Sequence, residues 1–238
     1  MPVITFEPTG DWQGVYKTNS NRTTARDAST GTLLSTGTER LGYTRKQGSN
    51  YTITRGILKF DFRRQSMSGA QIRRLKHIQV VGAQLKTTFS GVSAGDTGGN
   101  IIRLQHLFAP GNYGSIATTD YHRSRYQFAT SETTVSNALI TIDLDDRRIL
   151  RELQRALNAG KYFYLAMVGK LDYDNTNFSG NNKYNCEDFN SGSPKPELII
   201  RTRTLSHRKF TGTQGGRRAS ASGFGSASIT AGTSGGFS

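Results

Sequence analysis

The sequence predicts an all-β fold: an antiparallel jelly-roll-type sandwich with one short helix, about 145–159, and extended terminal arms. Three observations point there. Short segments in which apolar and polar residues alternate recur through the middle of the chain, the period of two expected of strands with one buried face. Between them lie Gly, Ser, Thr and Asn clusters that read as turns and loops, with 27 Gly among 238 residues. An apolar stripe of helical period occurs once, late in the chain. Seven or eight such strands with turn signals between them suit a sandwich. Their order is not legible.

Taken in order, residues 1–38 read as an N-terminal arm with a first strand. Val3 and Thr5 alternate with Ile4 and Phe6, and Pro8, Gly10 and Gly14 then punctuate the chain. Trp12, Val15 and Tyr16 are the residues that would anchor this arm on the domain or on a neighbour. Residues 18–37 are almost wholly polar and read as a long loop or extended arm, because such a stretch buries little apolar surface. The sandwich itself is expected over 39–204. Glu39–Arg45 and Tyr51–Phe62, joined by Gln47-Gly48-Ser49-Asn50, read as a hairpin. In Ile57-Leu58-Lys59-Phe60-Asp61-Phe62, the residues Leu58, Phe60 and Phe62 share one face. This segment reads as a half-buried central strand.

Arg63-Arg64-Gln65-Ser66 reads as a basic loop, and Gln71–Lys76, with Arg73, Arg74 and Lys76, as a connector. Ile78–Ser90 is the next strand, with Val81, Ala83, Leu85, Thr87 and Phe89 on one face. A Gly/Ser/Asp loop over 91–100 leads to a strand at Ile101–Phe108. Residues 111–137 form a long insertion rich in Tyr, Arg and Thr. Leu139–Leu144 is a strand. In the helix, Ile149, Leu150, Leu153, Ala156 and Leu157 make one stripe, Asp145 and Asp146 suit the N-terminus, and Gly160 suits the C-cap. Tyr162–Val168 and Glu197–Thr204 close the series, with a polar loop over 172–193 between them. Residues 205–238 form a basic, Gly/Ser-rich tail; from 201 onward there are six Lys or Arg and no acid.

Composition bounds the function. The apolar share is 34%, below the usual range, as expected of a β-rich domain with long polar loops. The net charge is +14, which favours polyanionic partners. Cys186 is the only cysteine, so there is no internal disulfide and no Cys-rich metal site. The opening residues lack the basic and apolar regions of a signal peptide, and no stretch has the length of an apolar membrane span. A soluble protein made in a cytoplasm is the expectation.

Candidate chemistry is sparse. Asp143, Asp145 and Asp146 precede the helix and are accounted for as acids at its N-terminus. Asp172, Asp174 and Thr176, with Glu187 and Asp188, offer oxygen ligands for a cation. Position 6 of that loop is Asn177 and position 12 is Lys183, which do not fit an EF-hand. His77, His106, His122 and His207 lie far apart, and Cys186 has no local partner. There is no P-loop and no dinucleotide fingerprint before a helix, and no serine nucleophile elbow is expected. The expectation is a protein that is not an enzyme, with no metal and no cofactor. The candidate interaction residues are Trp12; Tyr113, Tyr121, Arg123, Arg125 and Tyr126 in the insertion, beside His122; and Arg208, Lys209, Arg217, Arg218, Phe224 and Phe237 in the tail. Aromatic and guanidinium groups together suit protein hot spots, stacked bases and sugars.

The ordered set of motifs over 39–204 resembles the DNRLRE-type β-sandwich modules, similar in shape to carbohydrate-binding modules. The residues that carry the resemblance are Ile57-Leu58-Lys59-Phe60-Asp61-Phe62; Val80-Val81-Gly82-Ala83-Gln84-Leu85-Lys86; Leu139-Ile140-Thr141-Ile142-Asp143-Leu144 before the helix ending at Gly160; Phe163-Tyr164-Leu165-Ala166; and Pro196-Glu197-Leu198-Ile199-Ile200-Arg201-Thr202. The family's usual tryptophans are missing from the 111–137 insertion. The resemblance implies a sandwich of the kind found in secreted polysaccharide-acting proteins and in phage virion proteins. The polar arms and Gly/Ser tail match the second group. The expected function is a structural component of a phage particle, a tail or neck ring or connector. Its expected partners are copies of itself and other virion proteins, and its expected location is the virion after synthesis in the host cytoplasm. A carbohydrate-binding module-like protein for host-surface adhesion is the alternative. Nucleic acid is permitted by the charge and not favoured.

Overall fold

The computed structural model describes residues 2–9, 13–34, 42–63, 67–69, 75, 78–108, 115–186 and 195–205. Within them run thirteen strands: β1 (Val3–Phe6), β2 (Gln13–Asn19), β3 (Thr32–Leu33), β4 (Gly42–Gln47), β5 (Asn50–Asp61), β6 (Ile78–Ser93), β7 (Ile101–Leu107), β8 (Tyr126–Ala129), β9 (Thr133–Thr134), β10 (Leu139–Asp143), β11 (Tyr162–Gly169), β12 (Asn181–Cys186) and β13 (Glu197–Thr204). Three α-helical segments accompany them: α1 (Arg22–Arg26), α2 (Arg147–Ala159) and α3 (Lys170–Tyr173). All strand pairings are antiparallel. The all-β sandwich with one substantial helix is therefore the fold.

The front sheet runs β1-β13-β6-β10. The back sheet runs β12-β4-β5-β11-β7-β8, with β2 also on β5, β3 on β2 and β9 on β7. The sixteen-residue β6 belongs to both: its first part pairs β13 and β10, and its end pairs β12. Between the sheets lies the main core. It contains Ile4 and Phe6 from β1, Leu85 and Phe89 from β6, Leu198 and Ile200 from β13, Leu58, Phe60 and Phe62 from β5 and its end, and Phe163, Leu165 and Met167 from β11. Helix α2 adds Ile149, Leu153 and Leu157 to that core. Asp146 caps the helix by accepting a hydrogen bond from Arg148 N (2.7 Å). Gly160 follows it at φ 58°, the left-handed conformation that ends helices.

The hairpin expected over 39–62 is β4 and β5, turning at Gly48 with φ 58°. The structure departs from a half-buried strand at β5. Its other face is covered too: Ile53 and Ile57 belong to a second apolar cluster with Val15, Ala25, Leu107, Tyr121, Tyr126, Tyr164, Ala166, Val168, Leu171 and Phe178. The cover comes from segments that read as loops: α1 brings Ala25, the insertion brings Tyr121 and Tyr126, and residues 170–178 bring Leu171 and Phe178. Their polar groups are matched locally. Asn21 Oδ1, for example, accepts from Thr24 N (3.0 Å) and starts α1.

In β6 the expected face is broken by a bulge opposite Arg201 and Thr202. Val80 and Ala83 both point inward, and Val81 is 37% exposed. An extra residue in one strand reverses the alternation beyond it.

Candidate functional site

Strand β5 places Arg55 on its covered second face, where it is 1% exposed. Its guanidinium grips the Asp172 carboxylate at both oxygens, Nε to Oδ2 (2.7 Å) and Nη2 to Oδ1 (2.9 Å). Nη1 donates to Tyr121 O (2.5 Å) and Nη2 also to Arg26 O (3.0 Å). The rings of Tyr121 and Tyr126 lie 4.5 and 5.2 Å from the guanidinium carbon. Tyr121 Oη donates to Ala25 O (2.7 Å) and Tyr126 Oη to Asp120 O (2.6 Å). Arg26, itself buried, donates Nε to Asp172 O (2.9 Å). One arginine thereby ties together β5, α1, the Thr118–Tyr121 turn, β8 and α3.

Burial opposes the charge on Arg55, but the attraction of Asp172 and the hydrogen bonds to it outweigh burial, so its pKa lies above the ordinary arginine value. Burial pushes the phenols of Tyr121 and Tyr126 above their ordinary range even though Arg55 pulls the other way. At neutral pH the guanidinium is charged and both phenols are protonated. This is a fixed polar hub, well suited to holding three loops on a sheet.

Two of the candidate contact residues of the insertion, Tyr121 and Tyr126, therefore face inward, while Arg123 and Arg125 are half-buried. Arg123 donates Nη2 to Tyr173 O (2.9 Å), and Arg125 lies 3.6 Å from the buried Asp120. His122 is half-buried, with Nδ1 2.5 Å from Ser124 Oγ. Trp12, Tyr113, Arg208, Lys209, Arg217, Arg218, Phe224 and Phe237 lie outside the described residues, as do His77, His207, Arg73, Arg74, Lys76, Glu187 and Asp188.

The acidic candidates also have protein partners. Asp172 is held by Arg55, and Asp174 pairs with Lys170 (2.9 Å), so the first two oxygen donors of the expected cation loop are engaged. Asp145 accepts hydrogen bonds from Ser131 N (3.1 Å) and Ser131 Oγ. Asp143 accepts from Gln84 Nε2 (2.7 Å). Among the described residues, no three His, Cys, Asp or Glu side chains converge as a metal site. Against expectation, Gly91-Val92-Ser93-Ala94-Gly95 does have the spelling of a serine nucleophile elbow. It joins β6 to β7, strand to strand, whereas that motif needs strand to helix. Ser93 Oγ is directed at Asn181 O (3.5 Å).

Two exposed surfaces remain. The outer face of the front sheet carries Val3 (44% exposed), Val81 and Leu139 (46%), with the basic side chains of Arg201 and Arg203. Nothing among the described residues covers it. The second surface is the exposed side of α2 together with a groove of about 440 Å³ between the end of α2 and the ends of β7 and β11. Arg63, Arg155 and Lys161 rim the groove, and Phe108, Tyr162 and Ala159 line it. His106 lies beneath, stacked on Phe163 at 5.2 Å, with no partner for its buried Nδ1 among the described residues. Burial pushes the His106 pKa down to about 4, so the ring is neutral at pH 7.

The class that fold and surfaces define is an antiparallel β-sandwich whose interior polar groups hold loops. No protein-family model matches the chain, and no curated protein matches it at a significant level. No helix among the described residues is long and apolar enough to cross a membrane.

Proposed function

We propose that the protein is a non-enzymatic structural component of a phage particle, a tail or neck ring or connector that binds copies of itself and other virion proteins. The observation that carries this reading is the outer face of the front sheet. It is an uncovered four-stranded surface in which exposed Val3, Val81 and Leu139 stand among polar and charged groups, including the Arg201–Asp143 (3.8 Å) and Lys86–Glu197 (4.0 Å) pairs. Exposed apolar groups on a sheet face, rimmed by polar ones, suit a protein–protein contact. The basic, Gly/Ser-rich residues 205–238 follow directly on β13 of that sheet in sequence, a second means of reaching a neighbouring subunit.

Sedimentation velocity and native mass spectrometry of the full chain test the reading. The expected result is a discrete multi-subunit species that dissociates when Val81→Glu and Leu139→Glu are combined, or when 206–238 is deleted. A monomer at all concentrations up to the high micromolar range overturns it.

The carbohydrate-binding alternative has less support, because Tyr121 and Tyr126, its intended sugar platform, are interior. Glycan binding by the full chain would restore it.

A further inference from the structure

Helix α2 exposes an unusual side. Its buried positions are Ile149, Leu153 and Leu157, which face the core. On the opposite side, Arg147, Arg151 and Arg155 stand four residues apart and are all exposed. Four residues advance a helix by about 6 Å and turn it by about 40° beyond a full revolution. The three guanidinium groups thus form a row about 12 Å long that drifts around the helix toward one flank. That flank is the groove, which Arg155 itself lines. Lys161 and Arg63 continue the positive edge on the far side of the groove.

The acids nearby are Glu152, 2.6 Å from Arg155, Asp61, 2.7 Å from Arg63, and, at the start of α2, Asp145 and Asp146, which are held by Ser131 and Arg148. Arg147 and Arg151 make no ion pair among the described residues. With Arg148 counted, six cations against four carboxylates leave this surface net positive. Arg148 itself is drawn onto Asp146 (2.7 Å) and the Phe128 ring (4.8 Å). At the end of the row, Phe108 is 52% exposed beside the half-buried ring of Tyr162. An exposed phenylalanine next to an open apolar groove provides a flat surface on which a ring can stack.

A row of guanidinium groups ending in an accessible aromatic groove has the two features required to hold a single strand: charge along the backbone and a stacking surface for a base. We propose that the exposed side of α2 and its adjoining groove bind single-stranded nucleic acid, with phosphates along Arg147, Arg151 and Arg155 and an unstacked base against Phe108. An acidic protein segment would use the arginines without needing Phe108. A duplex would not present an unstacked base.

The test is fluorescence anisotropy of the full chain with a labelled 20-nucleotide oligo-dT over a range of salt. Wild type is expected to bind with a steep salt dependence. Arg147→Ala, Arg151→Ala and Arg155→Ala combined are expected to weaken binding at least 10-fold at low salt. The slope of log K against log salt should then fall by about 2, at about 0.7 for each phosphate no longer neutralised. Phe108→Ala should weaken binding roughly 5- to 100-fold, the worth of one stacked base, with the slope unchanged. All four positions are exposed, so circular dichroism melting is expected to match wild type.

Absence of binding by wild type overturns the proposal. So does an unchanged slope in the triple variant, which would assign binding to the basic residues of 205–238. Tighter binding of a 20-base-pair duplex, or equal competition by polyglutamate together with no effect of Phe108→Ala, overturns it as well.

Discussion

Replacing Arg55 with Leu is the sharpest test of how this sandwich is held together. The change leaves the Asp172 carboxylate, 2% exposed, without the guanidinium that now binds both of its oxygens. The carbonyls of Tyr121 and Arg26 lose their donors at the same time. Removing one partner of a buried ion pair costs roughly 3–5 kcal/mol, because the other charge stays behind. Arg26 Nε lies 3.8 Å from Asp172 Oδ1 and offers partial compensation, so the lower end, about 3 kcal/mol, is expected. In a domain of this size that corresponds to a fall of about 6–12 °C in melting temperature. Urea denaturation followed by circular dichroism gives the free energy directly, and hydrogen exchange should show faster opening of 117–126 and 170–174 than of the front sheet. Arg55→Leu combined with Asp172→Leu removes both charges and should recover most of the loss, since a buried pair replaced by apolar groups is often near neutral. A loss below about 1 kcal/mol in the single variant, or a double variant no more stable than the single one, would refute the hub as the tie between loops and sheet.

Two further outcomes follow from the same interior. His106 is held neutral by burial, with its pKa pushed down to about 4, whereas the unfolded chain takes up the proton near 6.5. Between those values the unfolded state binds more protons, so stability should fall as pH drops through that window, by roughly 3 kcal/mol at its acid end. His106→Phe should flatten that part of a stability–pH curve measured by urea unfolding, and an unchanged curve would contradict the assignment. At Gly31, an added Cβ would sit 2.8 Å from Val15 Cγ1 and 2.9 Å from Tyr121 Cβ. Gly31→Ala should therefore cost about 1–3 kcal/mol by overpacking, while Gly82→Ala, with nothing within 4 Å, should be close to neutral in the same melts.

The parts of the fold legible in the sequence are those whose signal is local. The alternation in Leu58, Phe60 and Phe62, the stripe through Ile149, Leu153 and Leu157, and the Asp146 and Gly160 caps each need only a few consecutive residues to read. The bulge at Val81 was hidden because an apolar residue continued the pattern on the side that turns outward. The candidate site was harder to read. Tyr121, Arg123, Arg125 and Tyr126 look like a contact surface because polar and aromatic residues crowd together in a loop-like stretch. Whether such groups face out or in depends on a partner elsewhere, and here that partner is Arg55. A lone arginine in an otherwise uncharged stretch of a central strand, Thr52-Ile53-Thr54-Arg55-Gly56-Ile57-Leu58, was the one available clue. The α2 arginine row was legible at its spacing of four. Its meeting with Phe108 was not, because those residues are about forty positions apart.

The sequence by itself determined the class of the fold, the longer apolar strands and the single long helix, because hydrophobic period and capping act over a few residues at a time. Only the tertiary structure decided which polar segments became interior. That choice rests on pairing over long separations, 117 residues between Arg55 and Asp172, where a charge is stable in the core only once its counter-charge and carbonyl acceptors have been brought to it.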